Sequence, residues 1–151
     1  MVNKSGAIDQ ITPSVGVLIF KGSAVLLVKH GKASEHIDNV YGLPAGRIPV
    51  SETEKVTAVR ELFEETGLQT SEGYLIDFPH NIFYASIKRK GNRLELFSFK
   101  VFIGVSYRGE LRATDETTPQ FIATKEINKY ECLPNVKEAI EAGWKFIHKN
   151  D

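Results

Sequence analysis

Three glutamates, Glu61, Glu64 and Glu65, stand at i, i+3 and i+4 and share one face of any helix that contains them. Like charges this close repel one another, which weakens the helix unless a cation neutralises them. Clustered hard oxygen donors suit magnesium or manganese better than zinc or copper. A cation held this way serves cleavage of a phosphoanhydride, a reaction that needs the phosphate charge shielded, a water activated and the departing phosphate supported.

The acids belong to a longer pattern: Gly46, five residues, Glu52, seven residues, Arg60-Glu61-Leu62, Phe63, Glu64-Glu65, Thr66 and Gly67-Leu68. Taken alone, an E-L-F-E-E run is an ordinary solvated helix face. Gly46, Glu52, Arg60 and Gly67 at fixed spacing set this one apart, because a multi-position pattern is far more specific than a short triplet. The pattern resembles the signature box of the Nudix hydrolases (the MutT-like family). Two positions depart mildly from its common form: Ala45 and Ser51 stand where glycine is frequent. Neither change removes a ligand, since a backbone carbonyl serves equally from alanine.

The resemblance implies that Glu61 and Glu65 are the main metal ligands, Glu64 a further ligand or the base, Glu52 an outer ligand, and the Ala45 carbonyl a backbone ligand. It implies magnesium as cofactor, with manganese as an alternative. Arg60 lies about 100° around the helix from Glu61; the resemblance gives it the role of orienting a box glutamate rather than gripping phosphate. Gly46 lets the preceding loop approach the helix, where a side chain would block it. The family takes its general base either from the box or from a later loop, so Glu110, Asp115 and Glu116 join Glu64 as candidates. Glu116, just before Thr117-Thr118-Pro119, is the loop acid of choice.

The elements that must position these groups can be read around the box. Residues 14–20 and 24–29 are β-branched apolar runs separated by Lys21-Gly22-Ser23, which predicts two strands and a tight turn. Residues 31–39 are a polar loop leading to a Pro/Gly turn at 42–46. Ser51, with Glu54 three residues on, reads as a capping box, and Gly67 as a helix stop, giving a helix over 52–66. Val56, Val59, Leu62 and Phe63 form its expected apolar stripe. Residues 73–78 and 82–88 read as strands, followed by 94–103 after the turn Lys90-Gly91-Asn92. Residues 120–123 close the strands, and 133–148, opened by Pro134, read as a last helix with Val136, Ile140, Trp144 and Phe146 or Ile147 spaced for one face. This order predicts an α/β fold with a mixed sheet between two helices, and the resemblance implies the Nudix α/β/α sandwich.

Length and composition fit one domain over 1–151, with 1–12 as a flexible start: 151 residues, 42% hydrophobic and 25% charged, suffice for a real core. Nineteen basic residues balance nineteen acidic ones, so no global field attracts nucleic acid or an anionic membrane. The sole cysteine, Cys132, cannot form an intrachain disulfide or a zinc cluster and reads as an inert thiol. Residues 1–10 lack the apolar core of a signal peptide, and no run approaches the roughly 18 apolar residues of a membrane span. The expected compartment is the cytoplasm, and the resemblance allows a homodimer.

Substrate contacts must come from outside the box. Lys88, Arg89, Lys90 and Arg93 cluster at a hairpin tip that could grip a distal phosphate, or simply stay solvated, and Arg108 and Arg112 are alternative phosphate contacts. Tyr41, Phe78, Phe83, Tyr84 and Phe121 could stack on a base. Tyr84 lies 16 residues past Leu68, which resembles the dinucleoside-polyphosphate members; Pro79 comes too early to match the ADP-ribose members. His30, His36, His80 and His148 lack metal-type spacing and read as surface or packing residues, although His80 beside Pro79 could line the cleft. The expected activity is release of a nucleoside monophosphate and a phosphorylated remainder from a nucleoside diphosphate linked to another group. Its rivals are a nucleotide-sensing module that no longer cleaves, and a pyrophosphohydrolase acting at RNA 5′ ends through the 88–93 tip.

Overall fold

The computed structural model describes residues 10–34 and 36–149. Of the expected flexible start, residues 1–9 lie outside the described ones, whereas Ile11 and Thr12 already belong to the first strand. The elements are β1 (Ile11–Leu18), β2 (Phe20–Lys21), β3 (Ala24–His30), β4 (Tyr41–Gly42), β5 (Ala45–Arg47), α1 (Glu54–Thr66), β6 (Leu75–Ile76), β7 (Ile82–Lys88), β8 (Leu94–Gly104), β9 (Thr117–Ala123) and α2 (Val136–Ile147). No helix among the described residues is long and apolar enough to cross a membrane.

The expected mixed sheet is present and is joined by a second one. In the mixed sheet β1 lies between β5 and β8, and β8 carries β6 and β7 on its far side. Only the β1–β8 pair is parallel. In the second sheet β3 pairs antiparallel with β2, β4 and β9. The run 14–20 therefore does not form one arm of a hairpin: it divides at Ile19, with β1 in one sheet and β2 in the other, and Gly22 at φ 58° turns β2 into β3. Strand alternation sends side chains to two cores. Val15, Val17, Leu26 and Phe102 meet Ala58 and Leu62 of α1, while Leu18, Val25, Leu27, Val101 and Ile103 meet Val136, Ala139 and Ile140 of α2.

Helix α1 departs from expectation at its start and in its rotation. Thr53, not Ser51, is the N-cap, its hydroxyl accepting the Val56 amide at 3.2 Å. The preceding turn, closed by Glu52 N–H to the Pro49 carbonyl at 3.0 Å, keeps Glu52 outside the helix. The buried positions are Thr57, Ala58, Leu62 and Thr66, while Val56 and Phe63 are exposed and Val59 half-buried. Two threonines can be buried because their hydroxyls are satisfied: Thr57 donates to Glu52 and Thr66 to the Leu62 carbonyl. Small side chains there let α1 sit close to the sheet, and this rotation half-buries Glu61 and Glu65 while Glu64 stays exposed. Gly67 ends the helix as expected, at φ 85° with its N–H on the Phe63 carbonyl.

Other boundaries moved for local reasons. Residues 73–78 give a single 3₁₀ turn at Glu72–Tyr74 and then only the two residues of β6, before Pro79 and His80 at φ 60° break the strand. The last strand begins earlier, at Thr117, and accommodates Pro119 because β9 has a strand on one side only. Helix α2 starts at Val136, after Asn135 at φ 71°. The hairpin of β7 and β8 is found with its turn at 90–92.

Candidate functional site

Helix α1 and strand β5 build one wall of a cleft. Strand β5 runs antiparallel to β1 and brings Ala45 and Gly46 against the helix. A Cβ on Gly46 would fall on the carboxyl group of Glu61, so glycine here lets that carboxyl keep its place. The Ala45 amide donates to Glu65 Oε1 at 2.8 Å. Arg60 gathers the remaining acids: its Nη2 and Nε hold Glu52 at 2.9 Å, and its Nη1 reaches Glu61 at 3.0 Å and Glu64 at 2.8 Å. Arg60 thus holds three of the acids at once.

The acids differ in how their surroundings treat charge. Burial pushes the Glu61 carboxyl up, against the opposing Arg60 charge, and Glu64 pushes it up further. Glu65 is raised well above the ordinary range, first by burial and then by Glu61, Glu116 and Glu64; only the Ala45 amide pulls the other way. Glu52 is held low by hydrogen bonds from Arg60 and Thr57. Among the described residues no three metal-ligating side chains already converge on one point. Here the Arg60 guanidinium lies between Glu61 and Glu64. The donor set nevertheless fits a hard cation, since half-buried carboxylates crowded by like charges gain most from one.

Of the opposite wall, Arg89 was among the expected substrate contacts; the other residues were not. His30, His36, Arg47 and Arg89 face Glu61 and Glu65 across the cleft, with Glu116 and Thr117 at its side. His30 is buried, its Nδ1 3.1 Å from the Ser34 hydroxyl and its ring 4.3 Å from that of His36. Arg89, also buried, places Nη1 3.1 Å from His36 Nε2 and its guanidinium 5.2 Å from the centre of the Phe97 ring. Burial, followed by the Arg89 charge, lowers the His30 pKa to about 4. Burial, then His30, Arg89 and Arg47, lowers that of His36 to about 3. Both imidazoles are therefore neutral at neutral pH, and His36 can accept from Arg89. Arg47 donates to Glu95 at 2.8 Å, while Arg89 Nε lies 3.4 Å from the same carboxylate. Reading His30 and His36 as surface or packing residues thus missed that they line the cleft. Ser34 is a local partner, but Arg89 lies 53 positions beyond His36, and no local spacing could reveal that contact.

Glu116 reaches the acid cleft. Its carbonyl accepts the Gly31 amide at 2.8 Å, which fixes the loop, and its charge acts on Glu65. Asp115 and Arg112 border the same side. Arg112 lies 4.9 Å over the Phe63 ring and donates to the Phe63 carbonyl at 3.2 Å, so it also caps the C-terminal end of α1. Arg108 pairs with Gln69. At the hairpin tip Arg89 turns inward, whereas Lys90 reaches Asp38 and the Lys32 carbonyl, each at 2.8 Å. The structure does not bring Tyr41 or Tyr84 to the acids. Tyr41 packs edge-on to Tyr130 at 4.9 Å, its backbone bonded to Glu131 and Leu133. Tyr84 is exposed on β7.

Behind Arg89 an apolar slot opens beside Ala45 and Gly46, lined by Leu43, Phe97, Phe99, Leu133, Asn135 and Val136. The Asn135 amide reaches the Tyr84 carbonyl at 3.3 Å. Alternation along β8 puts Phe97 and Phe99 on one face, a signal present in the sequence, but their meeting with the start of α2 depends on the tertiary fold.

The chain is similar to several known proteins. NAD-capped RNA hydrolase NudC of Pectobacterium atrosepticum is 35% identical over 81 residues, a stretch covering 50% of this chain and 30% of that protein. The NudC of Edwardsiella ictaluri is 33% identical over 81 residues with the same shares. The chain thus spans less than a third of the length of these curated relatives. Among solved structures, the MutT protein of Methanosarcina mazei Go1 superposes with a TM-score of 0.73 at 20% identity, covering 95% of this chain and 97% of that one. An Ap4A hydrolase of C. elegans does so with 0.65 at 14% identity, covering 92% and 99%. At such identities the likeness is one of fold. The NUDIX domain profile matches residues 10–149, and it runs through the glycine, arginine and glutamates that meet at the cleft; the chain belongs to the NUDIX domain family.

Proposed function

We propose that this chain, a Nudix-type pyrophosphohydrolase, cleaves the phosphoanhydride of a nucleoside diphosphate linked to another group, releasing a nucleoside monophosphate and a phosphorylated remainder. The observation that carries the reading is the cleft itself: Glu61, Glu65 and Glu116 face Arg89, Arg47 and two neutral histidines. Acids on one wall suit a cation, and arginines on the other suit phosphate oxygens. Magnesium or manganese would be held by Glu61, Glu64 and Glu65, with Glu52 outside them and the Ala45 carbonyl as backbone ligand; bound there, it shields phosphate charge and makes water more acidic.

The chain's own groups supply the rest. Arg60 fixes the directions of Glu52, Glu61 and Glu64. The apolar slot takes the flat base between Phe97, Phe99 and Leu43, and Arg89 stands between that slot and the acids, suited to hold a phosphate. Arg112 serves as a further phosphate contact at the end of α1. Tyr41 and Tyr84, proposed for base stacking from the sequence, act here at most indirectly: Tyr41 supports the loop ahead of α2, and Tyr84 accepts from Asn135. Water adds to phosphorus, the bridging P–O bond breaks, and the water proton passes to Glu116 or Glu64. Cytoplasmic placement and a nucleotide-type small molecule complete the reading.

One second reading has a specific observation behind it: the similarity to NAD-capped RNA hydrolases over 81 residues favours an RNA end as substrate. Inward-turned Arg89 and engaged Lys90 leave less of the hairpin tip for RNA, and the chain's zero formal charge adds no general attraction. Product analysis on modified nucleoside triphosphates, nucleotide sugars, dinucleoside polyphosphates and capped RNA, with magnesium and with excess chelator, tests the proposal. Metal-dependent release of a nucleoside monophosphate from one small-molecule class supports it. Cleavage of capped RNA alone moves the assignment to the second reading, and binding without turnover makes the chain a sensor. A Glu116→Gln variant with wild-type turnover would assign the proton to Glu64.

A further inference from the structure

The face of the mixed sheet that carries α1 is only partly covered. The helix packs over β5 and β1. Beyond it, the register aligns Ile11 with Leu96 and Pro13 with Ser98 across β1 and β8, and Leu94 with Lys88, Ser98 with Tyr84 and Lys100 with Ile82 across β8 and β7. Alternation then sets Ile11, Pro13, Ile82, Tyr84, Leu94 and Leu96 on one continuous face of three adjacent strands. Ile82 is 50% exposed, Tyr84 68% and Leu94 72%. Soluble proteins rarely leave aliphatic side chains contiguous in this way unless something docks on them.

We propose that a second copy of the chain docks here, sheet on sheet, about a two-fold axis lying across the strands. Two observations select this occupant. The first is size: the apolar side chains span three adjacent strands, with Ile11, Ile82, Tyr84 and Leu94 each half exposed or more, and with the rim of Ser86, Lys88 and Lys100 they offer a broad face of the kind that a standard interface of about 800 Å² per partner needs. The second is charge. No acid lies within the patch; Lys88 stands exposed at one end, and Asp77 and Glu54, both partly exposed, flank Lys100 at the other. A two-fold axis across the strands reverses their direction, so each Lys88 end meets the partner's Asp77 and Glu54 end. Single-stranded nucleic acid fits less well, because it stacks on several aromatics and this face offers one.

Sedimentation velocity from low to high micromolar concentration, on the chain and on its Ile82→Glu and Leu94→Glu variants, tests the proposal, with circular dichroism and melting to confirm that the variants stay folded. The expected result is a dimer whose dissociation constant rises at least tenfold in both variants. Lys88→Glu should also weaken it, and adding Asp77→Lys to Lys88→Glu should restore it. A chain that is monomeric at high micromolar concentration overturns the proposal, as does a dimer that both variants leave intact. Binding of a single-stranded oligonucleotide by a monomer, lost in the two variants, would assign the face to nucleic acid instead.

Discussion

The two walls of the cleft are built from opposite kinds of information. The acid wall is mostly local: Glu61, Glu64, Glu65 and their organiser Arg60 come from consecutive turns of one helix, Glu52, Ala45 and Gly46 reach in from just before it, and Glu116 joins them from the distant loop ahead of β9. The imidazole and arginine wall is assembled from β3, the loop after it, β5 and the β7–β8 hairpin, and its buried groups hold one another. One wall gathers charge that its surroundings disfavour and so calls for a cation. The other keeps its histidines neutral beside its arginines. On the proposed function, chemistry is concentrated where the chain is locally ordered, and recognition where it is folded from distant parts.

The comparison breaks most sharply at the acid wall. Glu65→Gln should lower turnover by roughly 10³-fold. The fold should hold, because a glutamine oxygen still accepts the Ala45 amide while an unfavourable half-buried charge is removed. Steady-state kinetics beside a thermal melt check this; a variant that unfolds would assign Glu65 to structure. Next, Arg60→Gln should cost about 10–100-fold in activity or metal affinity, since groups that orient ligands act at that scale. A magnesium titration of turnover reads it, and an unchanged metal dependence would deny Arg60 its organising role.

Gly46→Ala probes the closeness of the acid wall. The added Cβ must displace the Glu61 carboxyl group, the far end of a flexible side chain, so the variant should lose little stability but much of its turnover. Chemical denaturation and steady-state kinetics measure the two, and unchanged turnover would mean that β5 can retreat from α1.

The smallest effect belongs to the imidazole wall. The His30 pKa falls from 6.5 to about 4 on folding, so the unfolded chain binds a proton in that window and the folded one does not. Its contribution is complete above pH 6.5 and is lost as pH falls toward 4, on the order of 1–3 kcal/mol. Glu61 and Glu65, with raised values, act in the opposite sense and gain stability as they protonate. Replacing His30 with glutamine should therefore flatten the acid limb of a stability–pH curve. An identical limb in wild type and variant would show that this histidine is not held neutral by the fold.

The same division explains what could be read from the sequence. The glutamate spacing, the stop at Gly67 and the turn at 90–92 each depend on residues within a few positions, and each was legible; the close approach at Gly46 was legible only through its place in the longer pattern. The rotation of α1 was not, because Thr57 and Thr66 are buried only through hydrogen bonds that hydrophobicity does not register. Ser51 and Glu54 matched a capping box, yet the turn at Pro49 moved the cap to Thr53. The division of the 14–20 run between two sheets depends on β8 and β9, both far away in the chain. His30 and His36 became cleft residues only when Arg89, fifty-three positions beyond His36, folded against them.

Manganese binding followed by electron paramagnetic resonance, on the wild-type chain and on a Glu61→Gln/Glu65→Gln variant, tests the central claim most directly. Wild type should take up the ion, and the variant, still folded by circular dichroism, should lose it. Equal uptake by both proteins, or none by wild type, would contradict the assignment of the acid wall as the metal-binding half of a hydrolase.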